Sequence, residues 1–316
     1  MTPAVDVSNL SHHYGQRQAL SSLTLSIGRG EIFAFLGPNG GGKTTLFRLL
    51  STLIPIERGP VPHAEVRILG YDVRRQAAAV RARIGVVFQA PSLDKKLTVA
   101  ENLRHQGHLY GLSGAELQRR QTEMLERLGL ADRSNERTES LSGGLRRRVE
   151  LAKGMLHQPR LLILDEPSTG LDPGARVDLW DYLSRIRREE GVTVVLTTHL
   201  LEEAERADRI AILHEGELVA LDTPDALRAT IGGDTITMHT PDPVSLAAAI
   251  RQKFDCPATV IDGAVRLEQP EGHQWIARLV EAFGPQINTI TLGKPTLEDV
   301  FIDRTGHRMY EGAASA

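Results

Sequence analysis

The stretch Gly37-Pro38-Asn39-Gly40-Gly41-Gly42-Lys43-Thr44 comes directly after an apolar run, Ile32 to Leu36. It matches the pattern G-x-x-x-x-G-K-[ST], in which glycines let successive backbone N–H groups turn inward around a phosphate. The apolar run predicts a buried strand, and a helix that begins near Lys43 adds the positive end of its dipole. The sequence therefore predicts a phosphate-binding loop between a strand and a helix.

Three side chains of this loop and its helix are expected to act on the bound nucleotide. We expect Lys43 to reach the β- and γ-phosphates of ATP, and Thr44 to offer its hydroxyl to Mg²⁺. Thr45 follows in the same helix turn and is predicted to bind the nucleotide as well. A chance glycine-rich turn is the alternative, but such a turn need not lie between a strand and a helix.

A second apolar run, Leu161 to Leu164, ends in two carboxylates, Asp165 and Glu166. An aspartate at that position can hold Mg²⁺ opposite Thr44, usually through water. The next residue, Glu166, is then expected to orient or deprotonate the water that attacks the γ-phosphate. A solvated acidic strand end is the alternative for the pair taken alone, and the phosphate-binding loop favours the catalytic interpretation.

A third apolar run, Val192 to Thr197, is followed by His199. Open α/β sheets bind ligands at the carboxyl ends of their strands, so His199 is placed to contact the γ-phosphate or the attacking water. An isolated histidine is more often a surface residue at a helix start, and the chain has 11 histidines. Its position after the strand therefore carries this prediction.

The order of the elements predicts two domains. Short apolar runs alternate with longer helical patterns up to about residue 231, which favours an α/β fold with a largely parallel sheet. Thr98 with Glu101, and Ser113 with Glu116, predict two helix starts with capping boxes. After the joint at Gly232 and Gly233, a β-α-β-β-α-β order predicts a small α+β domain over 232–306. Residues 307–316 are expected to form a tail that frays at Glu311 to Ala316.

Composition restricts the partners of the chain. The net charge is −3 and gives no overall electrostatic reason for nucleic-acid binding. A single cysteine, Cys256, cannot form an internal disulfide, which suits a reducing compartment. The N-terminus lacks the pattern of a signal peptide, and no apolar run approaches the roughly 20 residues that a membrane helix needs. Any membrane role is therefore expected to require a partner.

The segment Leu141-Ser142-Gly143-Gly144-Leu145 resembles the signature L-S-G-G-Q of the ABC transporter ATPases. Ser142 and two glycines precede a helix, whose free N–H groups form a second anion site. In that family the signature loop completes the ATP site of a second copy. The resemblance therefore implies a homodimer that holds two ATP molecules, with Ser142, Gly143 and Gly144 acting in trans.

The resemblance covers Ala4 to Leu221 and extends to other positions. It implies that Tyr14 stacks on adenine, and that Gln89 contacts Mg²⁺ and the attacking water while signalling to a membrane subunit. His199 is similar to the switch histidine, and Ser168 to Asp172 are similar to the loop that couples the two ATP sites. The implied fold is a P-loop ATPase with an antiparallel β subdomain and a helical subdomain. Lys43, Glu166 and His199 are its expected catalytic residues.

Two departures from the family pattern are visible. Gly41 stands where relatives often have alanine or serine, and Leu145 replaces the signature glutamine. The expected phosphate contacts come from Ser142 and the Gly144 backbone, so the signature site is expected to survive. The arginines that follow, Arg146 to Arg148, are predicted to form a solvated helix face.

Leu145, the segment Pro295 to Phe301 and the small C-terminal domain together resemble the drug-exporter branch, which is typified by daunorubicin resistance. Its members pair with separately encoded permeases of the ABC-2 type. The resemblance implies an ATPase at the cytoplasmic face of the membrane that powers export of a drug-like or lipid-like compound. An ordinary amphipathic helix is the alternative for Pro295 to Phe301.

Several alternative functions remain open at this point. An importer motor shares the same motifs. A soluble ABC protein acting on ribosomes usually carries two cassettes in one chain, and a DNA-repair ATPase inserts a long coiled coil between the nucleotide motifs. A module that holds ATP without hydrolysis would not need Glu166 and His199. The transported compound cannot be deduced, because substrate contacts lie in the membrane subunit.

Overall fold

The computed structural model describes residues 2–56 and 64–309, so the tail predicted at Glu311 to Ala316 lies outside the described residues. The chain divides into two compact units, 1–218 and 219–316. This division falls before the joint predicted at Ile231 to Asp234, because a short helix, Pro224–Ala229, packs with the second unit. The boundary at residue 231 stays a prediction.

The strands of the first unit are β1 (Val5–Tyr14), β2 (Arg17–Ile27), β3 (Ile32–Leu36), β4 (Glu65–Ile68), β5 (Tyr71–Asp72), β6 (Ile84–Val87), β7 (Leu161–Asp165), β8 (Thr193–Thr198), β9 (Arg209–His214) and β10 (Glu217–Asp222), the last of which runs past the division at residue 218. Its helices are α1 (Lys43–Leu50), α2 (Ala77–Arg81), α3 (Val99–Leu109), α4 (Gly114–Arg127), α5 (Gly143–Met155), α6 (Pro173–Glu190) and α7 (Leu201–Ala204).

The central sheet has six strands in the order β10-β9-β3-β8-β7-β6. The pairs β3–β8, β3–β9, β7–β8 and β6–β7 are parallel, as predicted. Every residue of β3, β7 and β8 is buried, which explains why these strands read as continuous apolar runs. The register pairs Leu36 with Thr198 and Asp165 with Thr197, so the carboxyl ends of these strands meet at one edge.

An antiparallel sheet with the order β2-β1-β4-β5 forms the second layer of strands in this unit. The β1–β2 hairpin pairs Tyr14 with Arg17 at its turn, which leaves Tyr14 45% exposed. This sheet and the helical segment α3 to α5 match the two subdomains that the family resemblance implied.

The two predicted capping boxes have different outcomes. At α3, Thr98 accepts from the backbone of Glu101 and the Glu101 side chain accepts from the backbone of Thr98, as predicted. Helix α4 begins after Ser113, but the Ser113 side chain makes no capping bond. Instead, Glu116 pairs with Arg119 and Arg120, so this part of the prediction was wrong.

The second unit contains α8 (Pro224–Ala229), β11 (Asp234–His239), α9 (Pro243–Phe254), β12 (Ala258–Ile261), β13 (Ala264–Gln269), α10 (Gly272–Phe283), β14 (Thr289–Gly293) and α11 (Leu297–Thr305). Its antiparallel sheet has the order β12-β13-β11-β14 and confirms the predicted β-α-β-β-α-β arrangement. Residues of β11, β13, α9 and α10, such as Ile236, Leu267, Ile250 and Leu279, form its core. In the described part of the chain, no helix combines the length and the apolar character needed to span a bilayer.

Candidate active site

The glycine-rich loop joins the end of β3 to the start of α1, as predicted. Gly40 and Gly42 have φ values of 83° and 101°, in the region that favours glycine. A Cβ atom on Gly37 would lie 2.1 Å from the carbonyl oxygen of Leu213, and one on Gly42 would lie 2.8 Å from that of Ala19. The loop is therefore packed so closely against its neighbours that side chains are excluded at these positions.

The Lys43 side chain is buried inside the loop. Its Nζ donates to the carbonyl oxygens of Gly37 at 2.7 Å and Pro38 at 2.9 Å. Burial lowers the pKa of Lys43, while the nearby charges of Glu166 and Asp165 raise it. The ammonium group is thus enclosed by the backbone of the phosphate-binding loop, where it can neutralise a phosphate held by the same loop.

One pocket is lined by several of the predicted nucleotide-binding residues, although Gly37, Pro38, Gly41 and Gln89 are not among its lining residues. Its lining comes from the β1–β2 hairpin, the loop and the end of β7, and consists of Tyr14, Arg17, Ala19, Asn39, Gly40, Gly42, Lys43, Thr44, Thr45 and Glu166. The sequence did not single out Arg17 or Ala19. Both follow Tyr14 closely in the chain, and this position could have indicated their role. Antiparallel pairing of a hairpin brings the second strand back beside Tyr14.

Asp165 ends β7 with its side chain buried. The hydroxyl of Thr197 donates to Oδ1 of Asp165 at 2.6 Å and accepts the backbone N–H of Glu166 at 3.0 Å. Burial raises the pKa of Asp165, and the hydrogen bond from Thr197 opposes that shift. Thr197 was assigned only to the strand by the sequence, so its part in the site is a structural finding.

The carboxylate of Glu166 is contacted by the side chains of three other described residues. Its Oε2 accepts from Nε2 of Gln89 at 3.0 Å and from the Thr169 hydroxyl at 3.1 Å. Nδ1 of His199 lies 3.3 Å from the same oxygen. Glu166 itself has a φ of 41°, an unusual backbone conformation for a residue with a side chain. The surrounding contacts hold its carboxylate in a fixed place.

The Ser142 loop lies elsewhere on the first unit. Ser142 caps α5, and its Oγ accepts from the backbone N–H of Leu145 at 3.3 Å. Ser142 and Gly143 are exposed, and Gly144 lines a different cavity, against α4 and α6. None of the three is among the described residues that line the pocket of Lys43. Because the bond to residue 145 uses its backbone, this helix cap does not depend on the leucine side chain.

The chain is similar in sequence to known proteins. Residues 20–169 match the family described as ABC transporter. A daunorubicin resistance ATP-binding protein of Streptomyces coeruleorubidus is 38% identical, and the match covers 96% of both chains. A linearmycin resistance ATP-binding protein of Bacillus subtilis is 33% identical over 96% of this chain and 99% of its own.

This chain belongs to the ABC transporter family. Among solved structures, an ATP-binding cassette in a dimeric post-hydrolysis state with ADP and Pi is 28% identical, with a TM-score of 0.62 over 69% of this chain and 98% of that one. The ABC ATPase fold predicted from the sequence is thus confirmed, and with it ATP hydrolysis as the activity of the chain.

One prediction about this ABC ATPase was wrong. The arginines after the signature were expected to form a solvated helix face, but Arg147 is buried with 9% of its surface exposed. It donates to the backbone carbonyl oxygens of Pro167 and Phe88. Arg146 and Arg148 are partly buried and bond to Leu141 and Asp178. Helix α5 packs against the core through the face that carries Arg147. The sequence pattern did not reveal this packing, because a charged residue on a helix usually faces solvent.

Proposed function

We propose that this ABC ATPase powers export of a drug-like or lipid-like compound through a separate membrane permease of the ABC-2 type. The observation that carries the proposal is that a daunorubicin resistance and a linearmycin resistance ATP-binding protein each match 96% of the chain, which includes most of the small C-terminal unit. Pro295 to Phe301 lie at the start of α11 in that unit. The chain would act at the cytoplasmic face of the membrane, attached through the permease.

Within the site, Glu166 acts as the general base toward the attacking water. Support comes from the contacts of Gln89, Thr169 and His199 with its carboxylate, which orient the group. His199 positions the γ-phosphate, and Lys43 stabilises the transferring charge. Tyr14 stacks on the adenine, since it lies exposed at the rim of the pocket that contains Lys43.

The same site suits Mg²⁺. Thr44 supplies a hydroxyl, Asp165 a carboxylate and Gln89 an amide oxygen, which are the hard oxygen donors that this ion prefers. No group of three or more His, Cys, Asp or Glu side chains among residues 2–56 and 64–309 is arranged to hold a metal ion. In proteins, Mg²⁺ usually keeps several waters and is held by one or two carboxylates together with the phosphates of its nucleotide. When bound, Mg²⁺ would neutralise charge on the phosphate oxygens.

The second half of each ATP site comes from a second copy of the chain. Ser142, Gly143 and Gly144 lie at the exposed N-terminus of α5, where free backbone N–H groups can bind the γ-phosphate of the partner's nucleotide. A dimeric cassette with ADP and Pi among the similar structures supports this arrangement.

We place the limits of the ATPase domain at residues 1–231 and those of the C-terminal domain at 232–306.

The Glu166→Gln variant tests the catalytic assignment. It should bind Mg-ATP, release phosphate at least about 10²-fold more slowly than the wild type, and accumulate as a nucleotide-bound dimer in sedimentation. Normal phosphate release by this variant would contradict the role of Glu166.

Transport direction is tested with the permease. The tagged chain should copurify from detergent-solubilised membranes with an integral membrane protein. Vesicles that carry both proteins with the ATPase outward should then accumulate daunorubicin or linearmycin when ATP is added. Recovery with soluble proteins alone would favour a non-transport ATPase, and ATP-driven efflux from these vesicles would favour an importer.

A further inference from the structure

The signature helix α5 turns three charged side chains toward the core of the ATPase. Arg147 and Glu150 are buried, with 9% and 4% of their surface exposed, and Lys153 is partly buried. They are spaced three residues apart, so they follow one slanting stripe along the helix. Buried charges are costly unless they are paired or hydrogen-bonded. The three side chains therefore need partners in the core, and those partners lie beside the catalytic groups.

Arg147 contacts both sides of the catalytic glutamate. Its Nε donates to the carbonyl oxygen of Pro167 at 2.6 Å, and its Nη2 lies 3.5 Å from that of Asp165. Its Nη1 donates to the carbonyl oxygen of Phe88 at 2.7 Å, one residue before Gln89. A single planar guanidinium thus joins the backbone that carries Glu166 to the backbone that carries Gln89.

The far end of the Gln89 segment is held by the same helix. The carboxylate of Glu150 accepts the backbone N–H and the hydroxyl of Ser92, each at 2.6 Å. Nζ of Lys153 donates to the carbonyl oxygen of Ser92 at 2.8 Å. The segment 88–92 is therefore bonded to α5 at both of its ends, while Gln89 and Ser92 themselves are exposed.

These bonds bear on a strained part of the site. Glu166 has a φ of 41°, a conformation that persists only when the surrounding structure holds it. The Arg147 bonds to the carbonyls before and after Glu166 supply part of that restraint. Helix α5 begins directly after Ser142, so movement of the signature loop would be transmitted by a rigid element to Glu166 and Gln89 of the same chain.

We propose that Arg147 is a positioning residue for ATP hydrolysis: together with Glu150 and Lys153 it fixes Gln89 and Glu166 to the signature helix. Hydrolysis in one copy then depends on how its own signature loop is engaged by the nucleotide of the partner. This inference rests on the proposed roles of Glu166, Gln89 and Ser142.

The test separates catalysis from nucleotide binding. Arg147→Met keeps an unbranched apolar stem but removes the guanidinium donors, and it should lower kcat about 10²-fold, as expected when a catalytic group is displaced by about 1 Å. The dissociation constant for ATP should change by less than about twofold, because the phosphate-binding loop is untouched. Arg147→Lys keeps one donor and should have an intermediate kcat. Amide hydrogen exchange should accelerate in segments 88–92 and 165–169.

Arg187→Met is the matched control. Arg187 also donates to a backbone carbonyl, that of Gly30 at 3.1 Å, and pairs with Asp208, but it has no bond to the catalytic segments. It should lower thermal stability without changing kcat. If Arg147→Met does not fold, the double variant Ser92→Ala/Lys153→Met, at more exposed positions, releases one end of segment 88–92 and should show a smaller loss of kcat at unchanged ATP affinity.

Unchanged kcat in the folded variant, or equal losses of kcat and ATP affinity, would overturn the proposal. Glu166→Gln is assayed alongside. If that variant turns over normally, the assignment of Glu166 fails. If it is inactive while Arg147→Met behaves like the wild type, the positioning role of Arg147 alone fails.

Discussion

The hydroxyl of Thr197 donates a 2.6 Å hydrogen bond to Oδ1 of Asp165, on the neighbouring strand of the central sheet. The hydroxyl oxygen of Thr197 also accepts the backbone N–H of Glu166 at 3.0 Å. One buried hydroxyl therefore fixes both the proposed metal-binding carboxylate and the start of the turn that carries the general base.

The Thr197→Val variant is expected to lower kcat by roughly tenfold or more, because the Asp165 carboxylate and the Glu166 turn lose a shared partner. Its free energy of unfolding should fall by about 1–3 kcal/mol, the usual cost of leaving buried polar groups unpaired. ATP affinity measured without Mg²⁺ should be unchanged, since Thr197 does not line the pocket of Lys43.

Thr197→Ser is the control, because it keeps the hydroxyl and removes one methyl group. It should retain most of the wild-type kcat. A valine variant as active as the serine variant would show that the hydroxyl has no part in positioning the two carboxylates.

Gly37→Ala should abolish tight ATP binding. The added Cβ would lie 2.1 Å from the carbonyl oxygen of Leu213, a backbone atom that cannot move aside without shifting β9. Gly28→Ala is the control, because its Cβ would meet the Glu31 carboxylate at an ordinary 3.4 Å. Titration calorimetry with ATP should show a loss for the first variant only. Equal affinities would mean that the loop adapts to a side chain.

Acid should destabilise the chain through His157. Burial lowers the pKa of this ring from 6.5 to about 4, and the ring nitrogen Nε2 bonds to the carbonyl oxygen of Ile84 at 2.9 Å. The unfolded chain therefore binds a proton at a higher pH than the folded chain does. This contribution to stability is complete above about pH 6.5 and decreases by about 1.4 kcal/mol per pH unit as the pH falls toward 4.

His157→Gln can keep a donor toward Ile84 but cannot titrate. It should be less stable than the wild type at pH 8, because it loses the stacking of His157 on Tyr110 at 3.7 Å between centroids. Its free energy of unfolding should depend less on pH between 6.5 and 4.5. Parallel stability curves for the two proteins would exclude His157 as the source of acid sensitivity.

Asp299→Ala should destabilise the C-terminal unit by about 3–5 kcal/mol, because it leaves the buried Arg266 with only Glu268, at 4.0 Å, as an ion-pair partner. It also removes the carboxylate that accepts the backbone N–H of Thr296 at the start of α11. In a Trp180→Phe background, Trp275 is the remaining tryptophan and reports on this unit alone. Asp303→Ala removes a more exposed carboxylate of the same helix and serves as the control. Equal unfolding midpoints for the two variants would show that the buried pair is not needed.

Sequence patterns were enough to predict the phosphate-binding loop, the acidic strand end, the histidine after the third strand and the order of the C-terminal elements. Each of these depends on neighbours in the chain: a glycine spacing, an apolar run that ends in a carboxylate, or an alternation of periods. Gln89 and the trans role of Ser142 came from family resemblance, because neither has a local pattern that distinguishes it.

The remaining residues of the site, Thr197 and Arg147 among them, could be found only from the packing of the folded chain. Thr197 lies 32 residues from Asp165, and Arg147 lies 59 residues from Phe88, so no local spacing relates them. The burial of Arg147 was missed for the same reason: a charged residue on a helix appears solvated until the packing of that helix is known. Strand order and helix packing bring these groups together, and both depend on the free energy of the whole core rather than on any short stretch of sequence.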